Sequence, residues 1–135
     1  MGIGDMPLLA ALRDKMHWHQ ARQMLLAENV ANADTPGYRG RDLKPFEPAE
    51  QVGQRLAMQV SAGAANPMYI PFGGGSTAEF SVQRESGFEV TPEGNDVSLE
   101  DEMMKVASNQ MDYQAATTLY SRSLQIIKTA IGRSA

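Results

Sequence analysis

Few side chains in this sequence are spaced for catalysis or metal binding. His17 and His19 are two residues apart and would lie on different faces of a helix, so they cannot chelate one metal ion from it. The acidic run Glu100, Asp101 and Glu102 has residue types suited to acid–base chemistry. It falls in the first turn of a predicted helix, where negative charge stabilises the positive helix end. We therefore predict no catalytic, cofactor-binding or metal site.

Two further catalytic or binding motifs are excluded because the residues that they require are missing. The run Gly73–Gly75 is not followed by Lys-Ser/Thr and a helix, which a phosphate-binding loop requires. No serine lies in a nucleophile-elbow pattern. An enzyme whose site is assembled from the middle of the chain stays open as an alternative, although no polar cluster there favours it.

Composition narrows the function classes further. The chain has 135 residues, a formal net charge of −4 and no cysteine. The acidic balance argues against a nucleic-acid partner, and the missing cysteines exclude disulfides and thiolate metal sites. No segment approaches the roughly 18 apolar residues of a membrane span, and no ordinary secretory signal is evident at the N-terminus. We expect one domain, without direct membrane insertion.

The elements that must position any functional surface begin with an N-terminal helix, predicted from about Leu8 to Ala33. Apolar and polar residues follow one another at heptad-like spacing, which is typical of a packing helix. Asp5 is the predicted N-cap, with Pro7 in the first turn. The predicted stripe comprises Leu9, Leu12, Met16, His19, Gln23, Leu26, Val30 and Ala33.

A second, longer helix is predicted from Val97 to about Ile131, without an internal Gly or Pro. Ser98 with Asp101 matches a capping box, and Gly132 is predicted to follow the helix end. At 1.5 Å per residue its length would be about 50 Å. The predicted stripe comprises Leu99, Met103, Val106, Gln110, Tyr113, Thr117, Tyr120, Leu124, Ile127 and Ile131.

Beside that stripe the long helix has a second apolar row. The row contains Met104, Ala107, Met111 and Ala115, and Met103, Met104 and Met111 are predicted to face the helix seams. Two rows are wider than one antiparallel partner needs. The surplus apolar surface favours further partners, although a tight two-helix hairpin with a broad seam is the alternative explanation.

We predict a mainly α fold. The two helices pack antiparallel as a coiled-coil-like hairpin around a loop-rich middle with short β-strands. The segments are residues 1–34, 35–95 and 96–135. In the middle, residues 80–82 and 88–90 have strand-like alternation, and the composition of residues 51–76 predicts a partly disordered loop.

A seven-residue turn, Asn32-Ala-Asp-Thr-Pro-Gly-Tyr38, ends the first helix. Pro36 lacks an N–H and disfavours helical geometry at the residue before it. Gly37 accepts backbone angles that other residues avoid, and Tyr38 has a hydroxyl able to reach a neighbouring subunit. The turn is more specified than a simple stop, and we expect it to be an intersubunit element.

These motifs together resemble bacterial flagellar rod and hook (axial) proteins. Residues 21–43 are similar to the N-terminal signature of that family. Residues 94–103 and 109–115 are similar to the start of its C-terminal helix. The short chain fits a proximal rod protein better than members with large inserted domains. Two departures are Asp96, where Asn is more common, and Arg39-Gly40 in place of Lys-Ala.

The resemblance implies a structural subunit that is exported unfolded by the flagellar type III apparatus, without a cleavable signal. It implies helical assembly in the periplasmic rod of the basal body. The implied partners are the subunit itself, other rod proteins, and export-gate and FliE-type components at the base. A small helical adaptor or secretion chaperone, which would form a discrete soluble dimer, is the alternative.

Heptad spacing, the turn and the resemblance together predict an assembly interface on both helices. Its members are Leu9, Leu12, Met16, Leu26, Val30, Asn32, Thr35, Pro36, Gly37, Tyr38, Leu99, Met103, Met104, Val106, Met111, Tyr113, Tyr120, Leu124, Ile127 and Ile131.

Overall fold

Two helices and two short strands make up the part of the chain that the structure, a computed structural model, describes: residues 6–48, 80–85, 87 and 90–132. The elements are α1 (Pro7–Ala31), β1 (Arg41–Leu43), β2 (Val82–Arg84) and α2 (Leu99–Gly132). The predicted fold class, mainly α with two packed terminal helices and short strands between them, is confirmed. Residues 51–76, predicted to be a loop, lie outside the described residues.

The start of α1 differs from the prediction. The N-cap is Met6 rather than Asp5, and among the described residues no side chain makes a capping hydrogen bond there. Pro7 is at the first helical position, where its missing N–H costs nothing because that N–H would have no intrahelical partner. The helix ends at Ala31, and Asn32 is the C-cap whose N–H bonds back to Glu28 and Asn29 carbonyls.

The long helix α2 begins after Ser98, whose carbonyl accepts a hydrogen bond from the Glu102 N–H. Its 34 residues include the predicted acidic first turn and correspond to a length of about 50 Å. Gly132 is the last helical residue rather than the residue that follows the helix, so the C-terminal boundary was predicted slightly short.

The helices pack antiparallel, as predicted. Asn29 near the end of α1 bonds to Glu102 near the start of α2, whereas Gln20 bonds to Tyr113 further along α2. The buried apolar side chains of α1 include Leu9, Leu12 and Leu26, three members of the predicted stripe.

The packing face of α2 differs from the predicted stripe at every second position, where the buried residue lies one position earlier in the chain than predicted. Val106, Tyr113, Tyr120 and Ile127 are half-buried as expected, but the residues buried most completely are Glu102, Asn109 and Ala116. The prediction that Met103 lies in the stripe packed against α1 is wrong. Met103 is exposed, because polar side chains pair across the seam in its place. Met104 and Met111, which belong to the second apolar row, are exposed as well.

The two strands form one antiparallel pair in which Arg41 lies opposite Arg84 and Leu43 opposite Val82. The strand predicted at 80–82 is found at 82–84. Residues 88 and 89 lie outside the described part, so the strand predicted at 88–90 is not described. Strand β1 packs against α1 and ties the middle of the chain to the hairpin.

Candidate assembly surface and its supporting core

Asn109 is the centre of a buried polar contact between the helices. Its amide nitrogen donates to the His19 carbonyl at 2.9 Å and to the Gln23 Oε1 at 3.0 Å. Its Oδ1 therefore faces the His19 Nδ1, 2.7 Å away, so that nitrogen carries the hydrogen and donates. The other ring nitrogen, Nε2, is buried and makes no hydrogen bond to the described residues.

Asn29 links three parts of the chain. Its Nδ2 donates to the Glu102 carboxylate at 2.9 Å and to the Arg41 carbonyl at 2.7 Å. Its Oδ1 accepts from the Arg41 N–H and the Tyr38 hydroxyl. The side chain is 0% exposed. Truncating a buried amide of this kind costs about 1–3 kcal/mol for each group left unsatisfied, so Asn29 fixes α1, β1 and α2 relative to one another.

Glu102 was interpreted from sequence as a helix-end charge only, and that interpretation is incomplete. The carboxylate is buried and also accepts a hydrogen bond from Lys105 Nζ at 3.0 Å. Lys105 additionally contacts Glu85 at 2.5 Å. Burial alone would lower the pKa of Lys105, but the hydrogen bonds to Glu85 and Glu102 outweigh it and raise that pKa above its ordinary value.

We define the closed end as residues 32–38 and 91–97, where the turn after α1 packs on the loop before α2. Asn95 is buried there, and its amide nitrogen donates to the carbonyls of Asn32, Ala33 and Thr35 at 3.0, 2.7 and 2.8 Å. Carbonyls after the end of a helix have no helical partner. Asn95 thus holds the turn that follows α1, from a residue 63 positions away from Asn32.

Two glycines let the closed end form. Gly37 has φ +71° and Gly94 has φ +82°, in the left-handed region that disfavours side chains. The Gly37 N–H donates to the Glu93 carbonyl at 3.0 Å. A Cβ on Gly94 would lie 3.6 Å from the Gly37 Cα, so the two backbones approach closely. The left-handed geometry predicted for Gly37 is confirmed.

The Tyr38 hydroxyl is used within the chain. It donates to Asn29 Oδ1 at 3.2 Å, and the side chain is half-buried. The exposed residues of the turn are Asp34, Thr35, Pro36 and Gly37. The intersubunit role expected for this turn stays a prediction, and its exposed rim is the part available for it.

A second set of contacts holds β1 against α1. Arg22 makes a bidentate pair with Asp42, with N–O distances of 2.9 and 2.7 Å. The hydrogen bond to Asp42 raises the pKa of Arg22 despite the opposing effect of burial. The same guanidinium lies 5.4 Å from the Trp18 ring centre, and the Trp18 indole N–H donates to the Lys44 carbonyl.

The predicted interface residues divide into two groups. Half-buried or buried against the rest of the chain are Leu9, Leu12, Met16, Leu26, Val30, Asn32, Tyr38, Val106, Tyr113, Tyr120 and Ile127. Exposed are Thr35, Pro36, Gly37, Leu99, Met103, Met104, Met111, Leu124 and Ile131.

The side of α2 that faces away from α1 is also apolar. Positions 104, 111, 119 and 126 fall on one side of a helix with 3.6 residues per turn. We call them the outer row: Met104, Met111, Leu119 and Ile126. Their exposed fractions are 66, 70, 51 and 63%, and the intervening Ala107 and Ala115 are exposed too. The second apolar row predicted from sequence is thus exposed in the part of the chain that the structure describes.

Sequence reasoning missed Asn29, Asn95 and Asn109 as structural residues. Asn109 had a detectable signal, because it lies seven residues from both Glu102 and Ala116 and so belongs to a second heptad frame. Asn95 had no detectable signal in the sequence, because its partners are the backbone carbonyls of a distant turn.

Within the described ranges, no group of three or more His, Asp or Glu side chains is placed to hold a metal ion. Nor does any helix there have the length and hydrophobicity needed to cross a bilayer. The arrangement is an antiparallel helical hairpin, locked by polar contacts at one end, with an exposed apolar face along its longer helix. These features define the class of two-helix hairpin proteins that present an apolar surface along one helix.

Comparison with known proteins places the chain within that class. Residues 18–39, which include the turn after α1, match the family described as "Flagella basal body rod protein". The flagellar basal body rod protein FlgB of Agrobacterium fabrum is 32% identical over 109 residues, covering 76% of this chain and 75% of the relative. The FlgB of Escherichia coli is 29% identical over 122 residues, covering 86% and 88%.

The FlgB of Cereibacter sphaeroides is 29% identical over 135 residues, covering 91% of this chain and 98% of the relative. The chain belongs to the FlgB family of flagellar basal body rod proteins. This is a family of structural rod subunits and not an enzyme family.

Proposed function

We propose that the chain assembles helically through its terminal helices to form the proximal part of the flagellar rod, which serves as drive shaft and export channel. Residues 1–34 and 96–135 form the axial core, and residues 35–95 form the outer segment. The subunit is non-catalytic and uses no cofactor.

The outer row of α2 is the observation that carries this proposal. Four large apolar side chains lie along one face, each more than half exposed, and burying such a side chain is worth about 1.5–3 kcal/mol. Exposed patches of this kind mark interaction sites. Methionine, which supplies half of the row, adapts to neighbours of different shape, as a subunit at the junction of several rod proteins requires.

The proposed partners are copies of this chain, other rod proteins, and export-gate and FliE-type components at the base. The subunit reaches the periplasmic rod through the flagellar type III export apparatus. The FlgB relatives, which are named as basal body rod proteins, support this location.

The test places one negative charge on the outer row. Met111→Asp is expected to abolish rod assembly and motility, because a carboxylate cannot be buried without a partner. Gln114→Asp is the matched control, since Gln114 is exposed on the same helix but outside the row. Leu124→Asp, beside the hairpin seam, is also expected to abolish assembly.

Secreted subunit, assembled rods and swimming would be measured in cells that carry each variant as the sole copy. The expected result is normal secretion with no rods for Met111→Asp, and normal rods for Gln114→Asp. Motile cells with Met111→Asp would show that the outer row is not an assembly surface.

A further inference from the structure

The heptad positions of α2 can be followed in two frames that share Val106, Tyr113 and Tyr120. In the apolar frame the intervening positions are Met103, Gln110, Thr117 and Leu124. In the polar frame they are Glu102, Asn109, Ala116 and Ser123. With 100° per residue, the midlines of the two frames differ by roughly 50° around the helix axis.

The hairpin adopts the polar frame. Asn109 is 1% and Ala116 5% exposed, whereas Met103 is 62% exposed. Apolar burial alone favours the opposite choice, because the apolar frame would cover Met103 and Leu124 in place of Glu102 and Ser123. Some other interaction must therefore select the observed rotation.

The contacts that require this rotation are those of Asn109 with His19 and Gln23, and of Asn29 with Glu102. Each joins α1 to α2 through a buried side chain. A turn of α2 into the apolar frame would move Asn109 away from His19 and Glu102 away from Asn29, leaving buried polar groups unsatisfied. Single buried polar residues fix register in coiled coils in the same way.

We propose that Asn109, together with the Asn29–Glu102 pair, sets the rotation of α2 against α1. These are positioning residues: they hold the helix so that Met103 stays outside the hairpin. The inference concerns the hairpin alone and holds independently of how the subunit assembles.

The absence of cysteine from the chain allows a direct test by thiol labelling of purified subunit. Met103→Cys and Ala116→Cys each introduce one thiol, and the rate of alkylation by iodoacetamide reports its exposure. In the wild-type background the thiol at 103 is expected to react quickly and the thiol at 116 slowly. Asn109→Ala is expected to slow labelling at 103 and accelerate it at 116, each by about tenfold.

The matched control is Gln110→Ala, which removes an exposed amide from the next residue and is expected to leave both rates unchanged. A reciprocal change distinguishes rotation from loosening, since loosening accelerates position 116 without slowing position 103. An unchanged or faster rate at 103 in Asn109→Ala overturns the proposal, provided that circular dichroism shows the variant to be folded.

A second variant decides the case if Asn109→Ala unfolds. Asn109→Ala/Gln110→Asn moves the amide by one residue, so that it can meet His19 in the apolar frame. Here too we expect slow labelling at 103 and fast labelling at 116, with folding retained. Wild-type rates at both positions, or an unfolded double variant, would show that the amide does not determine the rotation.

Discussion

The closed end of the hairpin and the outer row of α2 are opposite kinds of surface. At the closed end Asn95 serves three carbonyls, and beside the closed end Asn29 connects both helices to β1. Along the outer row, by contrast, large apolar side chains are exposed in the described part of the chain. Directional polar contacts thus fix the shape of the hairpin, while the surface proposed to bind partners is apolar and non-directional.

This contrast separates two effects that mutations usually mix. Substitutions at the closed end should lower the free energy of unfolding. Substitutions on the outer row, such as Met111→Asp, should leave it within about 0.5 kcal/mol, as is usual for exposed positions, and act on assembly. The following predictions test the polar half of the contrast, first at the closed end and then at Lys105, which pairs with Glu102.

The largest effect is expected for Asn95→Ala. The substitution removes a buried amide that donates to three carbonyls of the turn. The carbonyls of Asn32 and Thr35 keep their backbone donors, but the Ala33 carbonyl and the Val97 N–H lose the partner that Asn95 gives them. The free energy of unfolding should fall by about 3 kcal/mol. The free energy of unfolding is measured by urea denaturation, followed by circular dichroism. Asn32→Ala is the control, because its amide serves one exposed carbonyl. Equal losses in the two variants would show that Asn95 contributes no more than a surface cap.

A smaller effect is expected for Gly37→Val. The left-handed backbone at Gly37, with φ +71°, costs a side chain about 1–2 kcal/mol, although no atom obstructs the added Cβ. Asparagine tolerates this conformation better, so Gly37→Asn should recover most of the loss in the same denaturation assay. If the Gly37→Val and Gly37→Asn variants are equally stable, the backbone conformation at residue 37 does not limit the stability of the turn.

The smallest effect is expected at alkaline pH through Lys105. Its folded-state pKa lies above the ordinary value of 10.5. Its contribution to stability is therefore complete below that value and is lost as pH rises through the folded-state pKa. The difference in free energy of unfolding between wild type and Lys105→Met should shrink over that range. Lys128→Met is the control for the loss of a positive charge. If the difference in free energy of unfolding between wild type and Lys105→Met does not change with pH, the ionisation of Lys105 does not contribute to stability.

The sequence was sufficient for the two helices and their antiparallel order. Leu9, Leu12 and Leu26 recur at the spacing of one helix face and are buried as that spacing predicts. The turn chemistry of Pro36 and Gly37 is local, so its position and the positive φ of Gly37 could be predicted as well.

The frame of α2 could not be predicted by ranking residues on hydrophobicity. That ranking favours Met103 over Glu102, but it omits the hydrogen bond from Asn29 to Glu102, whose two partners lie 73 residues apart along the chain and meet only once the chain is folded. Strand β1 was missed for a related reason: three residues carry little periodicity, and their partners in β2 are about 40 residues away along the chain.

The short strand pair also determines where the subunit can change in length. The chain leaves the hairpin after β1 and returns at β2, and the Lys44 N–H meets the Ser81 carbonyl at 2.9 Å, so both ends of the intervening sequence are held at one point. Lengthening a connection between fixed ends is inexpensive, about 0.6 kcal/mol for each doubling. The connection could therefore be lengthened between residues 49 and 79 without altering the helices, and an epitope tag inserted there would leave the helical hairpin intact, whereas Phe46 is tied to α1 by its ring contact with Trp18.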